Sequence, residues 1–406
     1  MDSGLGLSGL QQGAGLRRRQ AVRRNHESDE TGLDKRKLMS ETKSVLVVGG
    51  AGYLGCVLIE ELLSRGYAVT VFDRLFFGDF GMRKFRDRIR LLTGDMRTAS
   101  PSIFDNACAV MNLGGLSNDP TAEYNPEANH QMNTVATRTL AEIAKKTGVK
   151  RYIFASSCSI YDIGVVDEEQ DVLLNEESAV QPRAAYAVSK LAGERELLAL
   201  HDADFSPVIL RMGTLFGFSP RMRYDLVVNT FVKDALLKGA ITLHYGGQMW
   251  RPLVDVRDAA RAYVIALEAP DAAISGQVFN VVAENYRISE LALRVREGLR
   301  QKGVPAELNP QFQYSGIRNY RVSGRKIFRA LNYKPVISVE ESVADLVEKI
   351  RAYGYTDFDN DRYYNIRWMR LLEQVKRTID ITGTIFDMPS AKAVLEVAAG
   401  GRRASA

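Results

Sequence analysis

Tyr186 and Lys190 stand four residues apart in Tyr186-Ala-Val-Ser-Lys190, and none of the other 16 tyrosines has a lysine at that spacing. On a helix, i, i+4 separation puts both side chains on one face. A neighbouring ammonium stabilises a phenolate and lowers the tyrosine pKa toward the range of a useful proton acceptor. Ser157 closes the run Arg151-Tyr-Ile-Phe-Ala-Ser-Ser157 and can hydrogen-bond the same substrate oxygen. The chemistry of such a trio is proton removal from an alcohol. The spacing alone also fits an amphipathic helix with a half-buried tyrosine and a solvated lysine, so the surroundings must decide.

The surroundings begin with Gly49-Gly-Ala-Gly52-Tyr53-Leu54-Gly55, which follows the apolar run Ser44–Val48. The pattern G-x-x-G-x-x-G lets a backbone turn tightly at a helix N-terminus, where a pyrophosphate is stabilised. Asp73 ends the next apolar run, 18 residues after Gly55. A carboxylate there is placed to accept both hydroxyls of an adenosine ribose and repels a 2′-phosphate. The expected cofactor is therefore NAD rather than NADP, with Arg74 softening the preference. In Gly94-Asp95-Met96 the Asp95 carboxylate could meet the adenine amine.

The elements that must hold these residues alternate. Strands are expected at Ser44–Val48, Ala68–Phe72, Arg90–Leu92, Ala109–Leu113, Arg151–Ala155 and Pro207–Leu210. Helical spacing runs over Val57–Leu63, Gln131–Thr147 and Ala184–Leu200. Repeated strand–helix order predicts an α/β fold, a doubly wound parallel sheet covered on both faces. After Gly217 the rhythm loosens, and a smaller α/β substrate-binding lobe is expected over the strand ends. The division reads as 44–215 for the cofactor domain, with 252–282 returning to it, and 216–251 plus 283–387 for the lobe.

In this order the motifs resemble those of the extended short-chain dehydrogenases/reductases, in the NAD-dependent epimerase/dehydratase family to which UDP-galactose 4-epimerase belongs. The resemblance runs from about Ser44 to about Ile350. It rests on Gly49/Gly52/Gly55, Asp73, Gly94-Asp95-Met96, Leu113-Gly114-Gly115, Asn133, Phe154-Ala-Ser-Ser157, Tyr186/Lys190 and Arg251-Pro-Leu-Val-Asp-Val-Arg-Asp258. It implies a Rossmann domain, a nucleotide-diphosphate sugar as substrate and a tightly held NAD. By the same resemblance Ser157 and Tyr186 flank the sugar hydroxyl and Lys190 holds the nicotinamide ribose. Asn133 supports the catalytic helix or a proton-relay water. Arg251, Arg318 and Asn229 meet the diphosphate, and Ser117 and Thr214 belong to the substrate side. The pattern departs at Asn112-Leu113-Gly114-Gly115, where the family often has His-Leu-Ala-Ala, and at Thr214, where it has Asn.

Epimerisation through a keto-sugar is the activity this resemblance favours. The 4,6-dehydratases of the family carry an acid just after the catalytic Ser/Thr; here Cys158 and Ser159 follow Ser157. A dehydratase or ketoreductase is the alternative within the family. A sensor or assembly protein that binds NAD without turnover is the alternative from another class, and such relatives typically lose the Tyr/Lys pair. Cys158 reads either as a small core residue or as a thiol assisting proton transfer.

Composition bounds the remainder. Apolar residues make up 46% and charged residues 25%, as in ordinary globular proteins. No run of 18 apolar residues occurs, so no membrane helix is expected. The net charge of +5 arises mainly in residues 1–43, which hold nine of 54 basic and six of 49 acidic residues, so nothing points to nucleic acid. That segment is expected to be a disordered extension, with Met39 a candidate start, and 388–406 a flexible tail. Three cysteines (Cys56, Cys108, Cys158) and four scattered histidines predict neither disulfides nor a metal centre, and a cytoplasmic protein. The helices near Gln131–Thr147 and Ala184–Leu200 resemble the family pair that forms a homodimer interface.

Overall fold

The computed structural model describes residues 43–162, 172–312 and 318–383. The expected extension and the expected tail lie outside them, apart from Lys43. Strands follow the apolar runs: β1 Ser44–Val48, β2 Ala68–Asp73, β3 Ile89–Thr93, β4 Ala107–Asn112, β5 Arg151–Ser157, β6 Leu173–Leu174 and β7 Ser206–Met212. The later ones are β8 Thr214–Phe216, β9 Ala240–His244, β10 Trp250–Asp255, β11 Val278–Val281, β12 Glu284–Arg287, β13 Glu307–Gln311 and β14 Arg321–Val322. The longer helices are α1 Tyr53–Ser64, α2 Ala136–Lys146, α3 Ala185–Ala199, α4 Val227–Lys238, α5 Val256–Glu268, α6 Ile288–Gln301, α7 Val339–Ala352 and α8 Asn365–Thr382.

Seven strands form one sheet in the order β11-β7-β5-β4-β1-β2-β3, every neighbouring pair parallel. Alternation along β1 shows why it is covered on both sides. Val45 and Val47 join the core that contains α1 and α5, while Leu46 and Val48 join the core that contains α2. The strand order reverses between β1 and β4, and such a switch point opens a crevice at the carboxyl ends of the strands. Glycines 49 and 52 and residues 113–117 meet there.

A third apolar cluster is built from Phe216, Met222 and Tyr224 with α4, α6 and α7. The three-stranded sheet β12-β10-β8 lies beside it. One element departs from the expected helix Gln131–Thr147: residues Gln131–Val135 form a π-turn before α2 begins. The wider turn carries Asn133 into the interior, where it is fully buried.

Candidate active site

At the switch point lies a cleft of about 550 Å³. Its floor is the glycine turn. Gly49 has a φ of +76°, and a Cβ on it would stand 2.7 Å from the Gly114 nitrogen. Gly52 precedes the first turn of α1, and a Cβ on Gly55 would lie 2.4 Å from the Gly50 oxygen. Two loops approach so closely only where side chains are absent, and bare backbone at a helix N-terminus is what a pyrophosphate needs. Tyr53, Leu54, Leu113 and Gly115 line the same wall.

Asp73 closes one end. Its oxygens accept the N–H groups of Ala51 at 2.9 Å and Leu75 at 2.7 Å. Burial raises its pKa and these two donors oppose the rise. Asp73→Ala is expected to lower the preference for NAD over NADP, since ribose acceptor and like-charge repulsion go together. Equal affinity ratios in the two proteins, measured by calorimetry, would show that Asp73 does not read the ribose. Asp95 is partnered within the protein. Its carboxylate pairs with Arg74 at 3.2 Å and Arg97 at 2.6 Å, and the Arg97 hydrogen bond lowers its pKa. Two guanidinium groups occupy it more strongly than a neutral adenine amine would. Met96 is buried and lines the cleft.

Ser157, Tyr186 and Lys190 all line the middle of the cleft. Helix α3 reaches the sheet because Gly193 allows it: a Cβ there would be 2.8 Å from the Asn133 carbonyl oxygen. The helix is anchored by Glu194, one turn beyond Lys190. Arg211 of β7 pairs with Glu194 at 2.7 Å, Ser156 Oγ donates to it, and Arg211 also donates to Tyr161 Oη at 2.7 Å. Removing one partner of such a buried pair typically costs about 3–5 kcal/mol, so the network pins β5 and α3, and with them Ser157 and Tyr186.

The Tyr186 phenol is pushed up to about 12 by burial, against the hydrogen bond with Ser157 and the charge of Arg223. Lys190 lies on the same helix one turn on. Its ammonium lies 4.8 Å from the Phe154 ring centroid, and burial brings it down to about 8 while Glu194 pulls upward.

Asn133 holds the loop after β4. Its Oδ1 accepts the Leu116 N–H at 2.9 Å, and its Nδ2 faces the Leu116 carbonyl, Asn129 and Ser189 at 3.0, 2.8 and 3.1 Å. Gly115 makes room, for a Cβ there would fall 2.0 Å from Asn133 Oδ1. Of the two roles the resemblance allowed, the saturated amide has the geometry of a support. Cys158 is buried in an apolar cluster and its thiol donates to the Arg211 carbonyl at 3.2 Å. It does not line the cleft, and burial raises its pKa, which suits a core residue.

On the substrate side Ser117, Thr214 and Arg318 line the cleft. Arg318 pairs with Asp119 and, at 3.4 Å, with Asp162. Arg251 and Asn229 are not among the lining residues. Arg251 donates to the carbonyls of Trp250, at 2.7 Å, and Arg318. Asn229 is fully buried and joins Gly217, Tyr53 Oη and the Arg223 carbonyl.

Two further groups line the cleft. Arg221 and Arg223, visible in the sequence only as nearby arginines, are both buried in the cleft wall. Arg223 pairs with Asp225 at 2.8 Å; the Arg221 guanidinium lies 3.9 Å from the Phe77 ring centroid, and its Nε has no hydrogen-bond partner among the described residues. The second group is Asn365, Ile366 and Met369 at the start of α8. No short motif marks them.

The model of the NAD dependent epimerase/dehydratase family matches residues 45–282, more than half of the chain. The chain belongs to that family. UDP-N-acetyl-alpha-D-glucosaminuronate decarboxylase of Bacillus cytotoxicus is 26% identical over 328 residues, covering 76% of this chain and 98% of the relative. UDP-glucuronic acid decarboxylase 1 of Danio rerio is 26% identical over 322 residues, covering 77% and 74%. The structure of UDP-glucuronic acid 4-epimerase from Bacillus cereus, in complex with UDP-glucuronic acid and NAD, superposes with a TM-score of 0.65 at 23% identity, over 76% of this chain and 99% of that one. At that identity the likeness shows the shared doubly wound fold. The cofactor of the epimerase/dehydratase family is NAD, and the glycine cradle and Asp73 fit it. Among the described residues no helix is long and apolar enough to cross a membrane.

Proposed function

We propose that this protein is an NAD-dependent nucleotide-diphosphate-sugar epimerase acting through a keto-sugar. The observation that carries the reading is the meeting of Ser157, Tyr186 and Lys190 in one cleft with the glycine cradle. NAD, when bound along Gly49–Gly55 and Asp73, supplies the hydride acceptor and donor. The chain's own residues handle the proton and the placement. Tyr186 takes the proton of the sugar hydroxyl, Ser157 orients that hydroxyl, and Lys190 holds the cofactor ribose. Asn133 and Glu194 keep the loop and the helix in register without touching substrate.

A carboxylated sugar is the substrate class the cleft favours. Arg221 and Arg223 are two buried cations of the cleft wall; Asp225 pairs with Arg223, while Arg221 has no carboxylate in direct contact and feels Asp225 and Asp73 only through space. Burial and the repulsion of Arg223 lower the Arg221 pKa to about 9, and a bound anion would offset both. Both curated relatives bear names of enzymes acting on uronic-acid nucleotides. Oxidation next to a carboxylated carbon creates a β-keto acid, so decarboxylation is the second reading.

Mass spectrometry after incubation with UDP-glucuronic acid decides among outcomes. An unchanged mass with a new chromatographic peak is expected of the epimerase. Loss of carbon dioxide would establish a decarboxylase, and loss of water a dehydratase. No product from any nucleotide-sugar, with NAD still bound, would leave the binding protein without turnover.

We further propose a homodimer built on α2, α3 and the turns before them. Tyr124, Val135 and Val188 are exposed apolar side chains on these elements. Sedimentation at micromolar concentration is expected to give twice the chain mass, and a monomer would contradict the dimer.

A further inference from the structure

Helix α8 lies beyond the segment that the family model matches, which ends at residue 282, and beyond the sequence resemblance, which ends near Ile350. It nevertheless supplies part of the cleft wall. Asn365 is 3% exposed and makes three contacts there. Its Nδ2 donates to Ser117 Oγ at 2.8 Å, its Oδ1 accepts from Arg221 Nη2 at 2.6 Å, and its backbone N–H donates to Asp225 Oδ2 at 3.2 Å. One side chain thus ties the loop after β4 to the paired arginines. Further along the helix, Trp368 Nε1 donates to the Phe76 carbonyl at 2.6 Å, and the Tyr124 hydroxyl meets Glu373. Those contacts fasten α8 to the loop after β2 and to the helical turn Asp119–Tyr124. Between the fastenings Ile366 and Met369 line the cleft.

We propose that α8 is a specificity wall, with Asn365 as a positioning residue for the substrate pole and Ile366 as an apolar limit on the substrate. This rests on the nucleotide-sugar reading above. The physical case is one of order. An arginine side chain carries large rotamer freedom, and a serine hydroxyl rotates freely. Held from one amide, Arg221 and Ser117 present a fixed pair of donors to an anionic sugar before it arrives, so less ordering remains to be done on binding. Ile366, next to Asn365, offers no hydrogen bond, so a sugar hydroxyl aimed at it would be left unpaired.

The test uses the full chain, with UDP-glucuronic acid and UDP-glucose as probes. Asn365→Ala is expected to raise KM for UDP-glucuronic acid about tenfold or more, because Arg221 and Ser117 lose the order that their hydrogen bonds to Asn365 impose, with kcat changed far less. The NAD dissociation constant, measured by calorimetry, should stay within about twofold, because the wall acts on the sugar. Asn365→Asp keeps an acceptor for Arg221 but draws the Ser117 proton to itself and adds a negative charge beside the sugar, so KM for UDP-glucuronic acid should stay raised and KM for neutral UDP-glucose should rise less. Ile366→Ala, which leaves every hydrogen bond of α8 in place, should change the ratio of kcat/KM between the two probes by about threefold or more. Wild-type KM and wild-type probe ratio in both Asn365→Ala and Ile366→Ala would overturn the wall alone. Equal losses of NAD and sugar affinity in Asn365→Ala would also overturn it, in favour of a merely structural helix. If the parent protein binds neither probe, the functional reading falls and the wall with it.

Discussion

Tyr186→Phe is expected to lose turnover by about 10²–10⁴-fold or more, with NAD and substrate binding nearly intact. The phenol oxygen is the proton acceptor, and the ring, which the variant keeps, supplies the packing. In the ligand-free protein burial pushes that phenol up to about 12, so proton transfer depends on the opposing groups. The Ser157 hydrogen bond and the charge of Arg223 are the two that favour the phenolate. Ser157→Ala should accordingly be milder than Tyr186→Phe, because one stabilising contact goes while the base remains. Single-turnover measurement of substrate oxidation with saturating NAD reads the step directly. Parent-like turnover in Tyr186→Phe would end the assignment of Tyr186 as the base.

Lys190→Met is expected to lose at least about 10²-fold in activity, weaken NAD binding and yet raise the melting temperature of the ligand-free protein at pH 7. Lys190 is 4% exposed, and burial lowers its pKa from 10.5 to about 8. A lysine with a depressed folded-state pKa destabilises the fold. Below pH 8 both states are protonated and the full burial penalty applies. Between pH 8 and 10.5 only the unfolded chain keeps the proton, so stability rises with pH through that window. The shift corresponds to about 3 kcal/mol, and methionine, unbranched and of similar length, removes it with little change in packing. The difference in melting temperature between variant and parent should then shrink as the pH approaches 10.5. A lower melting temperature for the variant at pH 7 would show instead that Glu194 and the Phe154 ring over-compensate the ammonium.

Local constraints are the ones that can be read along the chain. Short runs rich in apolar residues, Val45–Val48, Val69–Phe72 and Tyr152–Ala155, mark β1, β2 and β5, because a strand buried on both faces admits little else. The glycine turn was legible because close backbone approach excludes side chains whatever the remainder of the fold does. Tyr186 and Lys190 were legible because four residues on a helix always share a face. Asp73 followed from its place at a strand end.

Tertiary structure decided which charges remain free to act. Asp95 is claimed by Arg74 and Arg97, Asn229 by Gly217 and Tyr53, and Arg251 by two carbonyls. A candidate ligand in the sequence is only a side chain of the right type, and whether its lone pairs or protons are already used depends on neighbours far along the chain. The π-turn at Asn133 has the same origin, since its amide is drawn inward by Leu116 and Ser189. Lys190 shows it for pKa, because its dehydration depends on how the whole cleft closes. Asn365 is the furthest case, meeting Ser117 across 248 residues. Such a contact leaves no periodicity or spacing in the chain; it exists only because the sheet, the small lobe and the last helix converge on one crevice.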